Sequence, residues 1–315
     1  MENIIDKVSR EAIIKELSNN RYVRKVNNGD NEIYIITAHN SPNTMREIGR
    51  LREVTFRHAG GGTGKAIDID EFDTSEHPYQ QLLVWNPQDQ EIVGAYRFIL
   101  CRDAEFRDGK IHLATTELFD FSPEFYEKYV PYTIELGRSF IQPQYQPSEQ
   151  FRKGLFSLDN LWDGLGAIVV DNPDMKYYYG KFTMYTDFNV EARDYILSFL
   201  KYYFPDHKKL VTPIHGIELK TDVSAFLKEI EGKPYKDGHA VLNKLVRALG
   251  ENIPPLVNAY SNLSSTMLSF GTAINPTFGG VEETGILVTI ADIYPSKSER
   301  HIETYIKEKA ERGKK

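Results

Sequence analysis

Residues 133–141 read TIELGRSFI. Ile134, Leu136, Phe140 and Ile141 give the run the apolar character of a half-buried strand, yet Glu135 and Arg138 sit inside it with Gly137 between them. On a regular strand, residues three apart point to opposite faces. The acid and the base share a face only where the strand bulges, and Gly137 is the residue whose backbone freedom predicts a bulge. Bulges gather beside active sites, so this strand is expected to carry chemistry.

Working outward, QQLLVWN (80–86) and EIVGAYRFIL (91–100) flank NPQDQ and read as a hairpin. NEIYIITA (31–38) alternates like a strand, and SPNTMREIGRLREVTFRHAG (41–60) has helical spacing with Ile48, Leu51 and Phe56 near one face. Residues 1–28 are read as a helix and a polar link. After 133–141 comes a helix from about Glu149 to Val170, then an aromatic strand, KYYYGKFTMY (176–185), which is a candidate wall for an acyl chain or an ordinary core strand. A helix over 190–204, two more at about 221–231 and 237–250, and the strand-like STMLSFGTAI and TGILVTIADIY complete the chain. This order predicts a mixed α/β sheet, not a doubly wound parallel one. It is expected to be one domain over 1–315, with 205–252 as a helical insertion and 296–315 as a basic C-terminal helix.

The chain has 315 residues, 41% of them apolar and 12% aromatic, enough for a substantial core. A net charge of −7 argues against nucleic acid held by a general basic surface. No run approaches the roughly 20 apolar residues of a membrane span, and the charged N-terminus lacks a signal-peptide core. Cys101 is the only cysteine, which excludes an intrachain disulfide and favours a reducing, cytoplasmic setting. From Ser296 onward, seven Lys or Arg face four Glu. That excess suits either a solvated terminal helix or a basic surface for an acidic carrier or anionic lipid headgroups, the latter a peripheral membrane contact.

Several signals fail on inspection. HAGGGTGKAID (58–68) has Ala59 where a phosphate loop needs glycine and Ala66 where it needs Ser or Thr for magnesium, so it reads as a mobile glycine loop. DGLGAIVV (163–170) lacks the third glycine of a dinucleotide fingerprint. The histidines show no HExxH or HxH spacing, which argues against a zinc site. Cys101 ends an apolar run and reads as a buried structural thiol, and there is no Gly-x-Ser-x-Gly elbow.

What remains is an ordered constellation. Arg52 and Phe56 lie one helical turn apart in LREVTF, and IDIDEFDTSE (67–76) gathers Asp68, Asp70, Glu71 and Asp73. Arg97 then interrupts the apolar strand YRFIL, and Glu135 and Arg138 close the series, with Ser139 beside them. Each alone is as consistent with a structural ion pair or a solvated loop. Together they alternate base and acid through apolar sequence, and buried charges persist only where they pair, often at sites.

This string resembles the acyl-homoserine-lactone synthases. More closely, with LLVWN…EIVGAYRF, ELGRSFIQPQY, NLWDGLGA and PPLVNAYSNLSS…AINPTFG…ILV, it resembles the ornithine- and glycine-lipid N-acyltransferases of the GNAT superfamily, once labelled haemolysin-like. The similarity covers about 45–185 and 253–292. It implies a GNAT-like fold, its mixed, mostly antiparallel α/β sheet flanked by helices. It also implies transfer of a fatty acyl group, with or without a 3-hydroxyl, from acyl carrier protein to the α-amine of an amino acid, the first step towards an aminolipid.

The resemblance further implies that Glu135 and Arg138 act beside the reacting centre, while Arg52, Phe56, Asp70, Asp73, Arg97 and Ser139 shape the substrate side. Chemically, Glu135 suits a base acting directly or through water. Arg52 or Arg97 suits a carboxylate clamp. Coenzyme-A-using relatives carry a glycine turn that cradles pyrophosphate at a helix start. Here that stretch is IQPQYQPSEQFRKG (141–154), without paired glycines, so the expected donor is acyl-phosphopantetheine on a carrier protein, with no tightly bound cofactor. The synthases also carry a tryptophan between Phe56 and the acidic cluster, which this chain lacks. The alternatives are a lactone-type synthase, a coenzyme-A-dependent N-acetyltransferase and a non-enzymatic lipid-binding, haemolysin-like protein.

Overall fold

The hairpin around NPQDQ and the 133–141 strand are the frame on which the site is hung. The computed structural model describes residues 1–146 and 156–312. It opens with helix α1 (Arg10–Glu16), strands β1 (Tyr22–Lys25) and β2 (Glu32–Ile36), helices α2 (Pro42–His58) and α3 (Glu71–Thr74), and the hairpin β3 (Gln80–Asn86) and β4 (Glu91–Leu100). Short strands β5 (Phe106–Arg107), β6 (Lys110–Ile111) and β7 (Phe119–Phe121) precede helix α4 (Pro123–Lys128), strand β8 (Thr133–Ile141) and helix α5 (Ser157–Asp171). Then come β9 (Tyr177–Met184), α6 (Val190–Tyr203), β10 (Val211–Pro213), α7 (Ser224–Ile230), α8 (Tyr235–Ala248) and α9 (Pro255–Ser261). Strands β11 (Leu268–Asn275) and β12 (Val281–Thr289) and helices α10 (Pro295–Ser298) and α11 (Thr304–Arg312) finish the chain.

Two compact units result, one of Met1–Ala114, Tyr132–Lys176 and Tyr294–Lys315, the other of Thr115–Pro131 and Tyr177–Ile293. In the first, strands run in the order β1-β2-β3-β4-β8, every ladder antiparallel. In the second, β9, β12 and β11 pair antiparallel in that order, and β7 pairs with β10. The architecture is therefore the antiparallel, helix-flanked α/β arrangement expected.

Pleating sorts β3, β4 and β8 into two faces. On one face Gln81 pairs with Arg97 and Arg97 with Gly137, and Ile99 pairs with Glu135. On the other, Leu82 meets α5 so closely that a Cβ on Gly164 would stand 2.5 Å from its Cδ1. Every residue of β4 is buried, as a strand covered on both faces should be. Helix α2 lies on the polar side, where Phe56 meets Phe140 edge to face at 6.4 Å. Its first turn is steadied by Glu16, whose carboxylate accepts from the amides of Asn43 (3.0 Å) and Thr44 (2.7 Å).

The C-terminal segment closes the outer side of α5. Gly166 sits against the backbone of the wide turn Glu299–Glu303, where an added Cβ would stand 2.2 Å from the His301 carbonyl oxygen. His301 Nδ1 lies 2.7 Å from Asp163, and Tyr305 is buried under Arg24, whose guanidinium is 5.2 Å from its ring. Arg300 pairs with Asp159 and Lys309 with Asp171, so part of the terminal basic excess is engaged in the fold.

Two expectations are corrected. The N-terminal stretch read as helix and link contains β1, paired with β2, because Arg24 is buried by an ion pair with Glu308 instead of being solvated. The glycine loop is not loose. The enclosed Glu53 carboxylate accepts from the amides of Thr63 (3.1 Å) and Gly64 (2.8 Å), while Glu2 and Ile5 donate backbone bonds to Gly64 and Ala66. The helix predicted from Glu149 begins, in the described residues, at Ser157, and its predicted stretch 149–155 lies outside them. The 205–252 stretch supplies β10, α7 and α8, and α8 packs on α6 through Phe199 with Tyr235 (5.6 Å) and His239 (5.9 Å). In the aromatic strand, Tyr179 sits in a ring cluster with Phe121, Phe125 and Phe270.

Candidate active site

The β4–β8 ladder shifts register between Ala95 and Arg97. Ala95 pairs with Phe140 and Arg97 with Gly137, so Arg138 and Ser139 together oppose Tyr96. The expected bulge is present, but Arg138, at φ 47°, takes the left-handed backbone, not Gly137. A left-handed non-glycine residue is strained and needs surrounding structure to hold it. Here the side chain does that: Nε lies 3.0 Å from Asp68 and Nη2 3.7 Å from Asp70. Gly94, beside the bulge, admits the Phe140 carbonyl oxygen, which would stand 2.4 Å from a Cβ there.

The acids are placed by local chemistry. Asp70 caps α3 and Asp73 reaches back to the Asp70 amide, a reciprocal capping box. Asp68 is drawn to α2 by a bond from its amide to the Gly49 carbonyl (3.1 Å), an approach that only a residue without a side chain permits, since a Cβ would lie 2.6 Å from Ile69.

Arg52 and Arg97 enter this cluster from opposite sides. Arg52 Nη1 donates to Asp73 (2.9 Å) and to the Asp68 carbonyl (3.3 Å), and Nη2 to Gln81 (2.6 Å), whose amide returns to Asp73 (3.0 Å). Arg97 Nη1 donates to both oxygens of Asp70 (2.6 and 2.7 Å) and reaches Asp73 at 3.4 Å. Phe72 and Tyr79 flank its guanidinium at 5.5 and 5.1 Å. Burial alone would push Asp73 towards the neutral acid, but Arg52 and Arg97 outweigh it and hold the carboxyl well below the usual range. Burial likewise opposes the charge on Arg97, yet Asp73 and Asp70 raise its pKa above the ordinary arginine value.

Glu135, 2% exposed, accepts a hydrogen bond from the Tyr79 hydroxyl. The same phenol oxygen accepts from the Ala114 amide at 3.0 Å, so its one proton is committed to Glu135. Burial first, and then the neighbouring Glu135 charge, push the Tyr79 pKa well up, so the phenol stays protonated. Cys101 behaves as the expected structural thiol: it is buried, and burial followed by Glu135 raises its pKa.

Of the residues singled out in the sequence, Arg52, Asp70, Asp73, Arg97 and Arg138 form one ion-paired network with Asp68. Glu135 adjoins it through Tyr79. Phe56 packs between α2 and β8, and half-buried Ser139 lies in the bulge. Tyr79 and Gln81 were missed. Their signal was spacing: two polar-tipped residues, two positions apart, out of phase with Leu82 and Val84 and therefore on the side of Arg97.

Comparison with known proteins fits this arrangement. Residues 51–153 match the acetyltransferase (GNAT) domain. A glycine N(alpha)-acyltransferase of Phocaeicola vulgatus is 52% identical over 312 residues, covering 99% of this chain and 96% of its own. The enzyme of that name from Bacteroides thetaiotaomicron is 52% identical over 307 residues, 97% of this chain and 91% of its own. The chain belongs to this family of GNAT N-acyltransferases.

Two solved acyl-homoserine-lactone synthases align more distantly. LasI covers 50% of the chain and 74% of its own at 16% identity and a TM-score of 0.34. BjaI, a CoA-dependent synthase, covers 87% and 88% at 10% identity and a TM-score of 0.38. Among the described residues of this N-acyltransferase, no helix is long and apolar enough to cross a membrane and no His/Cys/Asp/Glu group is arranged for a metal ion.

Proposed function

We propose that this acyltransferase moves a fatty acyl group from acyl carrier protein to the α-amine of glycine, opening the synthesis of an aminolipid. The observation that carries the reading is Glu135: a buried carboxylate on β8, oriented by Tyr79 and standing before a strained bulge. An amino acid's amine is largely protonated at neutral pH, so a base must take its proton before or during attack. Glu135 first takes that proton, which frees the nitrogen lone pair to attack the thioester carbonyl. The carbon–sulfur bond breaks as the tetrahedral intermediate collapses, the nitrogen's next proton passes to the departing sulfur, and Glu135 returns its own to water. Negative charge developing on the carbonyl oxygen is met by a backbone N–H released from the ladder at residues 138–139, with Arg138 nearby. The 52% identity to two glycine N(alpha)-acyltransferases supports glycine as the acceptor.

The carrier-protein donor rests on the sequence of 141–154, which has no glycine turn for pyrophosphate; most of that stretch, 147–154, lies outside the described residues. By the same reading the enzyme works in the cytoplasm, with peripheral membrane contact where its lipid product leaves. The test is direct. Long-chain acyl carrier protein and the matching acyl-CoA are each incubated with glycine, and N-acylglycine is followed by mass spectrometry. Product is expected from the carrier at far lower donor concentration; an equal or better yield from acyl-CoA sinks the donor assignment. Glu135→Gln should lower kcat by about 100-fold or more while keeping the fold. Full activity in that variant removes Glu135 from the role of base.

A further inference from the structure

The guanidinium of Arg97 is only half used. Nη1 is committed to Asp70 and Asp73, but among the described residues the Nε–Nη2 edge has no hydrogen-bond partner, and Nε is fully enclosed. An enclosed donor without a partner is costly, and in a native structure it calls for an explanation. Nε also marks the edge of an opening. Among the described residues, a Cβ built on the half-buried Gly137 would meet no heavy atom within 4 Å, its chain neighbours aside, except Arg97 Nε at 4.0 Å. The aromatic rings of Phe72 and Tyr79 fix the plane of the guanidinium, so the free edge is a pre-set fork. Arg52 Nε is likewise buried without a partner, but its Nη2 is spent on Gln81 and its Nη1 on Asp73 and the Asp68 carbonyl, and the residue is fully buried, so no two-nitrogen edge is left open.

We propose that the Nε–Nη2 edge of Arg97, standing over Gly137, anchors the carboxylate of the acceptor amino acid, and that Gly137 lacks a side chain because the acceptor occupies that space. A carboxylate fits the planar edge with two parallel bonds. Glu135 lies two residues back on the same face of β8, roughly 7 Å along the strand. An acceptor held at Arg97 therefore extends its amine towards the base. The three arginines and three aspartates of the network already balance one another, so what is recognised is the dipolar amino acid, its carboxylate at Arg97 and its amine at Glu135. This inference rests on the amino-acid-acceptor reading above, and it adds which group is read and by what.

Acid and amide pairs separate the two. Glycine and glycinamide, with ornithine and its amide beside them, are compared as acceptors at saturating acyl carrier protein. The acid is expected to exceed its amide in kcat/KM by about tenfold or more, the loss expected when a charged hydrogen-bonding group is removed. Arg97→Lys keeps the cation for Asp70 and Asp73 but has no planar edge. It should raise the acceptor KM and bring the acid-to-amide ratio towards one. Gly137→Ala, which clashes with no backbone, should raise the acceptor KM while leaving the donor KM unchanged. Equal use of acid and amide by the unmodified enzyme, or an unchanged acceptor KM in both variants, overturns the anchor. If ornithine is acylated and glycine is not, the choice of glycine falls, but the acid preference and the anchor stand. Absence of acylation with every pair overturns both.

Discussion

Arg138 illustrates how much one residue can hold at once. Its left-handed backbone makes the bulge, and its side chain reaches Asp68 and Asp70. The two roles come apart on substitution. Alanine removes the ion pairs and keeps the strain; glycine removes the ion pairs but is at ease at φ 47°. Arg138→Gly is therefore expected to be the more stable of the two variants by about 1 kcal/mol, read from chemical denaturation. The usual order, with alanine ahead of glycine in a strand, would show that the bulge relaxes when the side chain is lost. The charged members of this site were legible because charge inside an apolar run is conspicuous. Tyr79 was not, because a tyrosine at the entry to a strand is ordinary until Glu135, 56 positions later, is brought to its hydroxyl.

Among elements, the decisive junction is between α2, α3 and β4. Each brings one or two charges that burial forbids alone: Arg52 from α2, Asp73 from α3, Arg97 from β4. Breaking a buried network by removing one charge costs about 3–5 kcal/mol, so Asp73→Asn is expected to lose that much at neutral pH. The pH dependence follows in sign. The folded-state pKa of Asp73 is depressed, so its contribution is complete above the ordinary carboxylate range and fades as pH falls below it. The stability gap between the native protein and Asp73→Asn should narrow below about pH 4. A gap that is constant across the acid range would mean that Asp73 is not held ionised. Strand positions were readable at this scale because β2, β3 and β4 carry alternating or continuous apolar runs. The four residues of β1, YVRK, carry neither; they form a strand by pairing with β2, and Arg24 is accommodated there by its ion pair with Glu308 of α11.

At the scale of the whole molecule, element order foretold a mixed α/β sheet that is not doubly wound, and the ordered charges pointed to the family whose sheet is mostly antiparallel and helix-flanked. It could not foretell how the glycine loop is tied, since Glu53 and the first residues of the chain must meet it in space. The terminal segment was equally opaque: its surplus of lysine and arginine suggested solvent, whereas Arg300, Lys309 and Tyr305 are engaged with the first unit. The notch at Gly166, closed by a carbonyl that cannot rotate aside as a side chain would, turns that engagement into a handle. Gly166→Ala, on a helix that carries none of the candidate site residues, should loosen the terminal clasp without touching the chemistry. The outcome in cells is a heat-sensitive allele, active in the cool and silenced on warming, with thermal melting of the purified variant shifted down and its KM values at low temperature unaltered.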